Sequence, residues 1–193
     1  MSSTQAFWAG NFGTEYHKRD VREVEKTMNL WRKMIWHAGT IRSAIEFGAG
    51  TGTNLEALKI LTNCRTAGVE INPDAFTKMA ADVGYLSPVL DVTPEPCKLA
   101  FTKGFLIHVP PEDLQAVYSK IFNASTKYVL LCEYFNPVPV EIEYRGHSGR
   151  LWKRDFAREM MESFPLTLID YGFSYGQDPE MPSDNMNWFL LSK

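Results

Sequence analysis

The segment IEFGAGTGTN, residues 45–54, carries one acidic residue followed by three glycines at alternate positions. Glu46 stands first, and Gly48, Gly50 and Gly52 follow it. Glycines at this spacing let the backbone approach a bound molecule closely, because no side chain stands between the two. An apolar run precedes them and a helical pattern follows, so the segment predicts a strand, a turn and a helix. Ligands commonly bind at such a turn, beyond the carboxyl end of the strand.

Three kinds of cofactor compete for a glycine-rich turn of this type. A phosphate-binding P-loop requires a lysine after its last glycine, and this turn has none. A dinucleotide site requires a small residue at the third position, where Thr53 stands. Glu46 is also a poor neighbour for a pyrophosphate. S-adenosylmethionine (SAM) has no phosphate and carries a positive charge at sulfur, which Glu46 can favour.

Two further carboxylates follow predicted strands at positions that suit SAM. Glu70 ends the second strand, in GVEIN, where it would accept hydrogen bonds from the ribose hydroxyls. Asp91 ends the third strand, where the adenine would lie. Each carboxylate alone could equally cap a helix or form an ion pair. Together, with strands and helices in the right order around them, they favour SAM over the other two cofactors.

Composition and charge exclude several classes of protein. The 193 residues suffice for one domain with a full core, and the net charge of -3 argues against a general nucleic-acid binder. No apolar run has the length of a signal peptide or a membrane span. The three cysteines are dispersed and predict reduced thiols in a cytoplasmic protein. The four histidines show no ligand spacing, so no metal is expected.

The elements that must position these residues alternate along the chain. Apolar runs predict strands at residues 43–47, 65–71, 85–91, 99–102, 128–134, 166–172 and 187–192. Helical periodicity or capping signals predict helices at residues 20–38, with Asp20 as the cap, at 53–62, from Asn72 onward to about Val83, at 111–123 and at 153–163. Residues 1–19 read as an irregular arm. Such alternation is typical of an α/β fold.

The expected fold is therefore a Rossmann-like, mostly parallel seven-stranded sheet with helices on both faces. The two late strands have no helix between them, so one C-terminal strand should be antiparallel. We expect a single domain, residues 1–193. Residues 1–39 would form an N-terminal arm and helix that cap the site, and residues 40–193 would form the core.

This pattern resembles the class I SAM-dependent methyltransferases from about residue 40 to the C-terminus. The resemblance implies that the three glycines line the methionine end of SAM, that Glu70 holds the ribose, and that Ile71 and Asp91 contact the adenine. Residues after the fourth strand should lie close to the methyl donor. The full set of expected cofactor-binding residues is Glu46, Gly48, Ala49, Gly50, Gly52, Asn54, Glu70, Ile71, Asp91, Val92, Thr102, Lys103 and Gly104.

Candidate catalytic and acceptor-binding residues gather at the same edge of the predicted sheet. His108 is the first choice for a general base, because histidine titrates near neutral pH. Tyr16 and Glu133 are the other catalytic candidates. The expected acceptor-binding residues are Tyr16, Arg19, Tyr134, Asn136, Arg145, His147, Arg150 and Lys153. The segment 144–158 is locally basic and reads as a flexible, anion-binding lid. These residues could instead only cap helices, stabilise turns or form a solvated surface.

Three segments together are similar to a narrower family. FWAGNFGTEYHKRD, FTKGFLIHVPPEDL and YRGHSGRLWKRDF resemble the pseudaminic acid biosynthesis-associated methylases. The resemblance implies methyl transfer to oxygen or nitrogen of a small anionic acceptor, a nonulosonic sugar acid, nucleotide sugar or precursor. Alternatives are methylation of another small molecule or of a protein, an NAD-linked oxidoreductase and a SAM-binding protein without activity.

Overall fold

A computed structural model describes residues 1–19 and 23–193. The strands in this part of the chain are β1 (Ser43–Phe47), β2 (Arg65–Glu70), β3 (Val83–Leu86), β4 (Cys97–Lys103), β5 (Ser125–Glu133), β6 (Val140–Tyr144), β7 (His147–Lys153), β8 (Thr167–Ser174) and β9 (Met186–Ser192). Seven of them form one sheet in the order β3-β2-β1-β4-β5-β9-β8, in which β9 pairs antiparallel with both β5 and β8 and the other neighbours pair in parallel. This confirms the predicted fold class.

Seven helices accompany the strands in the described part of the chain. They are α1 (Ser3–Ala9), α2 (Asn11–Arg19), α3 (Val24–Met34), α4 (Thr53–Thr62), α5 (Pro73–Phe76), α6 (Leu114–Ala124) and α7 (Phe156–Ser163). The proposed cap at Asp20 lies outside the described residues. None of the described helices is long and apolar enough to cross a membrane.

The core lies on both faces of the sheet. On one face Trp31 of α3 is fully buried and packs edge-on against Phe101 of β4, with the ring centres 4.7 Å apart. On the other face Phe47 and Ile121 belong to a second apolar cluster. Central strands with both faces covered read as continuous apolar runs, which is why β1, β4 and β5 were recognisable in the sequence.

The N-terminal arm is helical, so the prediction of an irregular segment was wrong. Ser2 and Gln5 form a reciprocal capping box: Ser2 Oγ accepts from the Gln5 backbone N–H, and Gln5 Oε1 accepts from the Ser2 backbone N–H. Helix α1 ends before Gly10, and α2 follows at once. The frequent glycines and aromatic residues of this segment concealed two short helices.

Three predicted elements end earlier than the sequence indicated. Helix α3 ends at Met34, whereas the prediction extended it to residue 38. Helix α5 is a single turn rather than a helix with Met79, Ala80 and Val83 on its face. The chain leaves the helical path because the Ala80 N–H donates to the Thr51 carbonyl of the glycine-rich turn, at 2.9 Å. Strand β3 ends at Leu86, just before Pro88, which has no N–H to donate to a neighbouring strand.

The segment predicted to be a flexible loop is a β-hairpin. Strands β6 and β7 pair antiparallel from Val140 opposite Lys153 to Tyr144 opposite His147. Arg145 and Gly146 form the turn, with φ angles of 50° and 79°. Two positive φ angles are the signature of a type I′ hairpin turn, which usually carries Asn-Gly or Asp-Gly. The unusual arginine at the first position explains why the sequence did not reveal the hairpin.

Candidate functional site

A cavity of about 370 Å³ lies beyond the carboxyl ends of β1, β2 and β4. The sheet side of its wall comes from the turns after these strands, and the outer side comes from α1, α2 and the β6–β7 hairpin. Among the expected site residues, those that line the cavity are Tyr16, Arg19, Glu46, Gly48, Ala49, Gly50, Asn54, Glu70, Ile71, Lys103, Gly104, His108, Tyr134 and Arg145.

The glycine-rich turn contributes its backbone to the cavity through Gly48 and Gly50. The Gly50 N–H donates to Glu70 Oε2 at 2.7 Å, so the turn after β1 is tied to the end of β2. Gly52 does not line the cavity, contrary to the expectation. Its φ is 80°, and an added Cβ would lie 2.6 Å from the Ala80 backbone nitrogen. Gly52 is therefore required by the fold, where α4 begins beside residues 79–80.

Glu70 stands at the junction of the cavity with β2 and is 6% exposed. Besides the Gly50 N–H, its carboxylate accepts from the backbone N–H groups of Ile71 at 2.8 Å and Asn72 at 2.7 Å. These three donors hold the carboxylate in one orientation. A carboxylate offers about four lone-pair sites, so it can still accept from a ligand hydroxyl.

Glu46 is buried at the floor of the cavity and is the second-to-last residue of β1. Asn54 donates its Nδ2–H to Glu46 Oε1 at 2.7 Å. The indole N–H of Trp31 donates to Asn54 Oδ1 at 3.3 Å, which fixes the amide. Glu46 therefore sits in a fixed position between the glycine-rich turn and the core.

Asp91 and Val92 do not line the cavity, so the position expected for Asp91 at the end of the third strand was wrong. After β3 ends, residues 89–91 form a 3-10 turn in which Asp91 is exposed, and Val92 is buried away from the cavity. The cavity wall at this edge comes from the preceding residues instead, namely Ser87, Pro88, Val89 and Leu90. Because Pro88 interrupts this apolar run, the sequence alone did not show where β3 ends or which of the following residues face the cavity.

Glu133 and Thr102 lie beneath the cavity rather than in its wall. Glu133 is 3% exposed, and its carboxyl oxygens accept from the backbone N–H groups of residues 105, 106 and 107 at 3.2, 3.2 and 3.4 Å. Burial raises the pKa of Glu133 to about 7, against the lowering effect of these hydrogen bonds. Glu133 thus shapes the turn that carries His108 and is not itself a catalytic candidate.

His108 lines the cavity as a neutral imidazole. Its Nδ1 lies 2.7 Å from the carbonyl oxygen of Arg150, and because a carbonyl only accepts, Nδ1 carries the proton and Nε2 is the basic nitrogen. Burial lowers the pKa of His108 to about 4, although the bond to Arg150 raises it slightly. The ring packs between Trp8 and Tyr144, with ring centres 4.4 and 5.0 Å away.

Helices α1 and α2 cover the outer side of the cavity. They bring Tyr16 and Arg19, as expected, and also residues that the sequence analysis did not select: Thr4, Gln5, Trp8 and His17. The imidazole of His17 lies close to the glycine-rich turn, since an added Cβ at Gly50 would be 3.0 Å from His17 Cε1. A helical reading of residues 3–9 would have placed Trp8 three or four positions after Thr4 and Gln5, on one surface of a helix.

The β6–β7 hairpin contributes Tyr144 and Arg145 to the cavity, but not the other basic residues expected there. His147, Arg150 and Lys153 do not line it, and neither does Asn136. Because side chains alternate across a strand, only part of the hairpin can turn toward the cavity. Arg150 instead donates to Thr4 Oγ1 at 3.0 Å and lies over the ring of Phe7, so it joins the hairpin to α1. Lys153 lies over Tyr134, 5.2 Å from the ring centre.

Within residues 1–19 and 23–193, no group of three or more histidine, cysteine, aspartate or glutamate side chains is arranged to hold a metal ion. Cys64, Cys97 and Cys132 are buried in the core and form no disulfide with one another. Burial raises the pKa values of Cys64 and Cys97, which keeps these thiols protonated.

Comparison with known proteins gives a likeness of structure without a likeness of sequence. No protein-family model and no curated protein matches the chain. The structure of 1,6-didemethyltoxoflavin-N1-methyltransferase from Burkholderia thailandensis, with its substrate and S-adenosylhomocysteine, superposes with a TM-score of 0.74 at 16% identity, over 100% of this chain and 91% of that one.

Two further structures show the same likeness. Magnesium protoporphyrin IX methyltransferase from Synechocystis PCC 6803, with bound SAM, has a TM-score of 0.71 at 11% identity, over 100% of this chain and 98% of that chain. A SAM-dependent methyltransferase from Leishmania major has a TM-score of 0.68 at 16% identity, over 100% and 86%. At these identities the likeness concerns the fold. The chain has the Rossmann-like fold of SAM-dependent methyltransferases.

Proposed function

We propose that the protein is a SAM-dependent methyltransferase that acts on a small anionic acceptor. The observation that carries this proposal is the joint placement of Glu46, Gly48, Gly50 and Glu70 in the wall of one cavity at the carboxyl edge of the sheet. The sequence singled out the same four residues for the same cofactor. Structures with this fold hold SAM or its product S-adenosylhomocysteine (SAH), which supports the choice.

The residues of the cavity suit a nucleoside without phosphates. Glu70 is held by three backbone N–H groups with acceptor capacity left over for ribose hydroxyls. Ile71 and Leu90 line the cavity with apolar side chains, which suits a flat adenine ring. No lysine or arginine belongs to the glycine-rich turn, so the turn itself offers no positively charged side chain to a pyrophosphate.

The opposite end of the cavity suits the amino-acid part of SAM. Glu46 is buried between the glycine-rich turn and Asn54, and its carboxyl group would lie on the side of the sulfonium and ammonium groups of SAM. Gly48, Gly50 and Gly104 line this end with backbone rather than side chain. When bound, SAM would supply a methyl group already activated by the positive charge on sulfur.

The chain itself would contribute alignment and the exclusion of water. Helices α1 and α2 cover the cavity with Trp8 and Tyr16, which restricts the space for solvent. Holding two reactants in line can supply about 7–11 kcal/mol of the activation free energy. This would account for most of the rate enhancement, because the electrophile needs no further activation.

His108 would act as the base when the acceptor group is a hydroxyl. Its neutral state at physiological pH leaves Nε2 free to accept the proton, and the Arg150 carbonyl holds the proton on Nδ1. An anionic acceptor bound beside the ring would raise the pKa of His108 from its low value, because a negative charge favours the imidazolium. A neutral amine acceptor would need less help from this residue.

Positive charge near the aromatic wall supports an anionic acceptor. Arg19, Lys103 and Arg145 belong to three different elements and all line the cavity, whose wall also contains Trp8 and Tyr144. Such a combination suits a sugar acid or nucleotide sugar, in which a ring packs on aromatic side chains and a carboxylate or phosphate meets an arginine. Within this class we propose a nonulosonic sugar of the pseudaminic type or its precursor, in a cytoplasmic enzyme.

Turnover of SAM to SAH, measured with a panel of acceptors, tests the proposal. The panel contains nonulosonic acids, their nucleotide-activated forms and amino-sugar precursors, with neutral sugars of the same size as controls. We expect turnover with at least one anionic member and none with the neutral controls. Turnover with neutral acceptors alone would contradict the anionic class. SAM binding without turnover on any panel would favour another small molecule, a protein substrate, or a role in binding only.

A further inference from the structure

Asn72 is a fully buried polar residue two positions after β2, at the start of α5. Its Oδ1 accepts from the backbone N–H groups of Asp74 at 3.1 Å and Ala75 at 3.0 Å. These bonds satisfy two of the N–H groups that the first turn of a helix leaves without partners. One half of the amide is therefore an ordinary helix cap.

The other half of the amide is bonded to the N-terminal helices. Nδ2 lies 3.0 Å from the Trp8 carbonyl oxygen, 3.3 Å from that of Gly10 and 3.3 Å from Thr14 Oγ1. The Trp8 carbonyl belongs to the last turn of α1, where helix carbonyls have no partner within the helix, whereas the Gly10 carbonyl between α1 and α2 also accepts from the Thr14 backbone N–H at 3.2 Å. Gly13 permits this approach, because an added Cβ there would lie 2.9 Å from Nδ2 and 1.9 Å from the Trp8 oxygen.

The same residue is bonded to the cofactor side of the cavity. Its backbone N–H donates to Glu70 Oε1 at 2.7 Å, and Glu70 lines the cavity. At the other end of this connection, the ring of Trp8 packs against His108 with the ring centres 4.4 Å apart. A continuous series of contacts thus runs from Glu70 through Asn72 to the end of α1 and on to the proposed acceptor region.

We propose that Asn72 is a positioning residue that couples occupancy of the cofactor site to the order of α1 and α2. The proposal rests on the proposed SAM site at Glu70. A ligand hydroxyl bonded to Glu70 restrains its carboxylate and, through it, the backbone of Asn72. The amide then holds the end of α1, and Trp8 completes the wall of the acceptor region. Cofactor binding consequently precedes acceptor binding.

The fold offers a reason why the coupling depends on so few bonds. Helices α1 and α2 have 7 and 9 residues, which is too short for stability in isolation. Thr14 Oγ1 also donates to Asp74 Oδ2 at 2.7 Å, close to the same cap. Contacts of this kind determine how often a short helix pair opens, and opening is measurable by hydrogen exchange.

Substitution Asn72→Ser keeps a helix cap for α5 but removes the hydrogen bonds of Nδ2 to the end of α1. Serine is an equally good helix cap for α5 and adds no charge, but its hydroxyl is too short to reach the α1 carbonyls. Asn123→Ser is the matched control, since Asn123 is exposed on α6, which does not carry this connection. Each protein is titrated with SAH by calorimetry, and backbone hydrogen exchange of residues 3–19 is measured with and without saturating SAH.

We expect SAH to slow exchange in residues 3–19 of the wild-type protein and of Asn123→Ser by about tenfold. In Asn72→Ser the dissociation constant for SAH should stay within about threefold, while the slowing falls to about twofold or less. A merely structural role would speed exchange equally with and without SAH and leave their ratio unchanged, and that result would overturn the proposal. Loss of SAH binding in Asn72→Ser would overturn it too.

Thr14→Val provides a second variant should Asn72→Ser fold poorly. It removes the hydroxyl that contacts both Nδ2 and Asp74, near the surface. We expect the SAH-dependent slowing to fall to about half of the wild-type factor, and an unchanged factor would overturn the proposal. Failure of the wild-type protein to bind SAH would instead count against the proposed function, so the two failures are distinguishable.

Discussion

A single hydrogen bond fixes the protonation of His108. The Arg150 carbonyl holds the proton on Nδ1, and burial disfavours a second proton on Nε2. A neutral ring inside an aromatic wall can accept a proton from a hydroxyl but cannot bind an anion by charge. We therefore propose a base at this position rather than the alternative that His108 only stabilises the turn before α6.

Substitution His108→Ala should lower turnover on a hydroxyl acceptor by about 10²–10⁴-fold, which is the usual contribution of a general base. The dissociation constant for SAM should hardly change, because the ring lies on the acceptor side of the cavity. Steady-state kinetics and calorimetry measure the two quantities. His37→Ala is the control, since His37 is exposed and lies outside the cavity. Unchanged turnover in His108→Ala would refute the assignment.

The carboxyl group of Glu133 makes stability depend on pH. Burial raises its pKa from 4.5 to about 7, so the folded state binds a proton that the unfolded state has released between these values. The stability contributed by the protonated form is complete below about pH 4.5 and is lost as the pH rises through about 7. His108 has the opposite effect between about pH 4 and 6.5, so the wild-type protein alone does not isolate Glu133.

Glu133→Gln removes this titration and keeps an oxygen that can accept from the turn. Relative to the variant, the wild-type protein should lose on the order of 2 kcal/mol of unfolding free energy between about pH 5 and about pH 7. Urea denaturation of both proteins over this range measures the difference. Parallel pH profiles would show that the carboxyl group does not titrate in this interval.

For individual residues, the sequence predicted some members of the site correctly and misplaced others, and the difference has a physical reason. Glu46 and Glu70 were recognised because each lies in the last two residues of an apolar strand, two positions before a glycine or a helix cap. Glu133 also ends a strand, but β5 is buried on both faces. A strand without alternation gives no sign of which residues turn toward the cavity, so only the structure distinguished Glu133 from Tyr134.

The β6–β7 hairpin is the element whose structure differs most, in its effect on the acceptor site, from the prediction made from the sequence. As a loop, the basic segment would have offered all of its charges to a ligand. As a hairpin it presents Arg145 at the turn, where the backbone is left-handed, and directs Arg150 toward α1. The specificity for charge should therefore depend on Arg145 much more than on its basic neighbours.

Arg145→Asn tests this assignment without disturbing the turn, because asparagine tolerates positive φ. We expect the KM for an anionic acceptor to rise about tenfold or more, as for the loss of a charge-assisted hydrogen bond, with little change in SAM affinity. Arg158→Asn on α7 is the control, since Arg158 is exposed, lies beside Asp155 and Glu162, and does not line the cavity. Equal effects of the two substitutions would contradict the role of Arg145.

Long, strongly patterned elements were predictable from the sequence, and short ones were not. The strands β1, β2, β4, β5, β8 and β9 and the helices α4 and α6 followed from apolar runs and periodicity. Helices α1 and α2 depend on a capping box at Ser2 and on contacts with Asn72, which is distant in sequence. Helix α5 ends at Phe76, and the residues after it follow another path, on which the Ala80 N–H donates to the Thr51 carbonyl. Contacts between distant residues decide these boundaries.

For the whole molecule, ligand binding should appear as a gain in stability. A ligand that binds only the folded state raises the free energy of unfolding by about 2.7 kcal/mol at a hundred times its dissociation constant. Thermal denaturation should therefore show a higher Tm with SAH and no change with NAD at the same concentration. A shift with NAD that matches the shift with SAH would indicate a general nucleoside site.

Methyltransferases with very different acceptors share this fold, so the fold alone does not identify the acceptor. Two of the proteins compared above are methyltransferases of 1,6-didemethyltoxoflavin and of magnesium protoporphyrin IX. The proposed cofactor side of the cavity comes from the sheet, whereas the proposed acceptor side comes from α1, α2 and the hairpin. We therefore expect these two helices and the hairpin to determine acceptor specificity.

The central claim is that the turn at residues 46–50 and Glu70 form a SAM site. Calorimetry tests it most directly. The wild-type protein and Glu70→Ala are each titrated with SAM, and the wild-type protein is also titrated with NAD. The account predicts one SAM site per chain, no detectable NAD binding, and affinity for SAM that falls about tenfold or more in Glu70→Ala through loss of the ribose contacts. Absence of SAM binding by the wild-type protein, or equal binding by the variant, would contradict it.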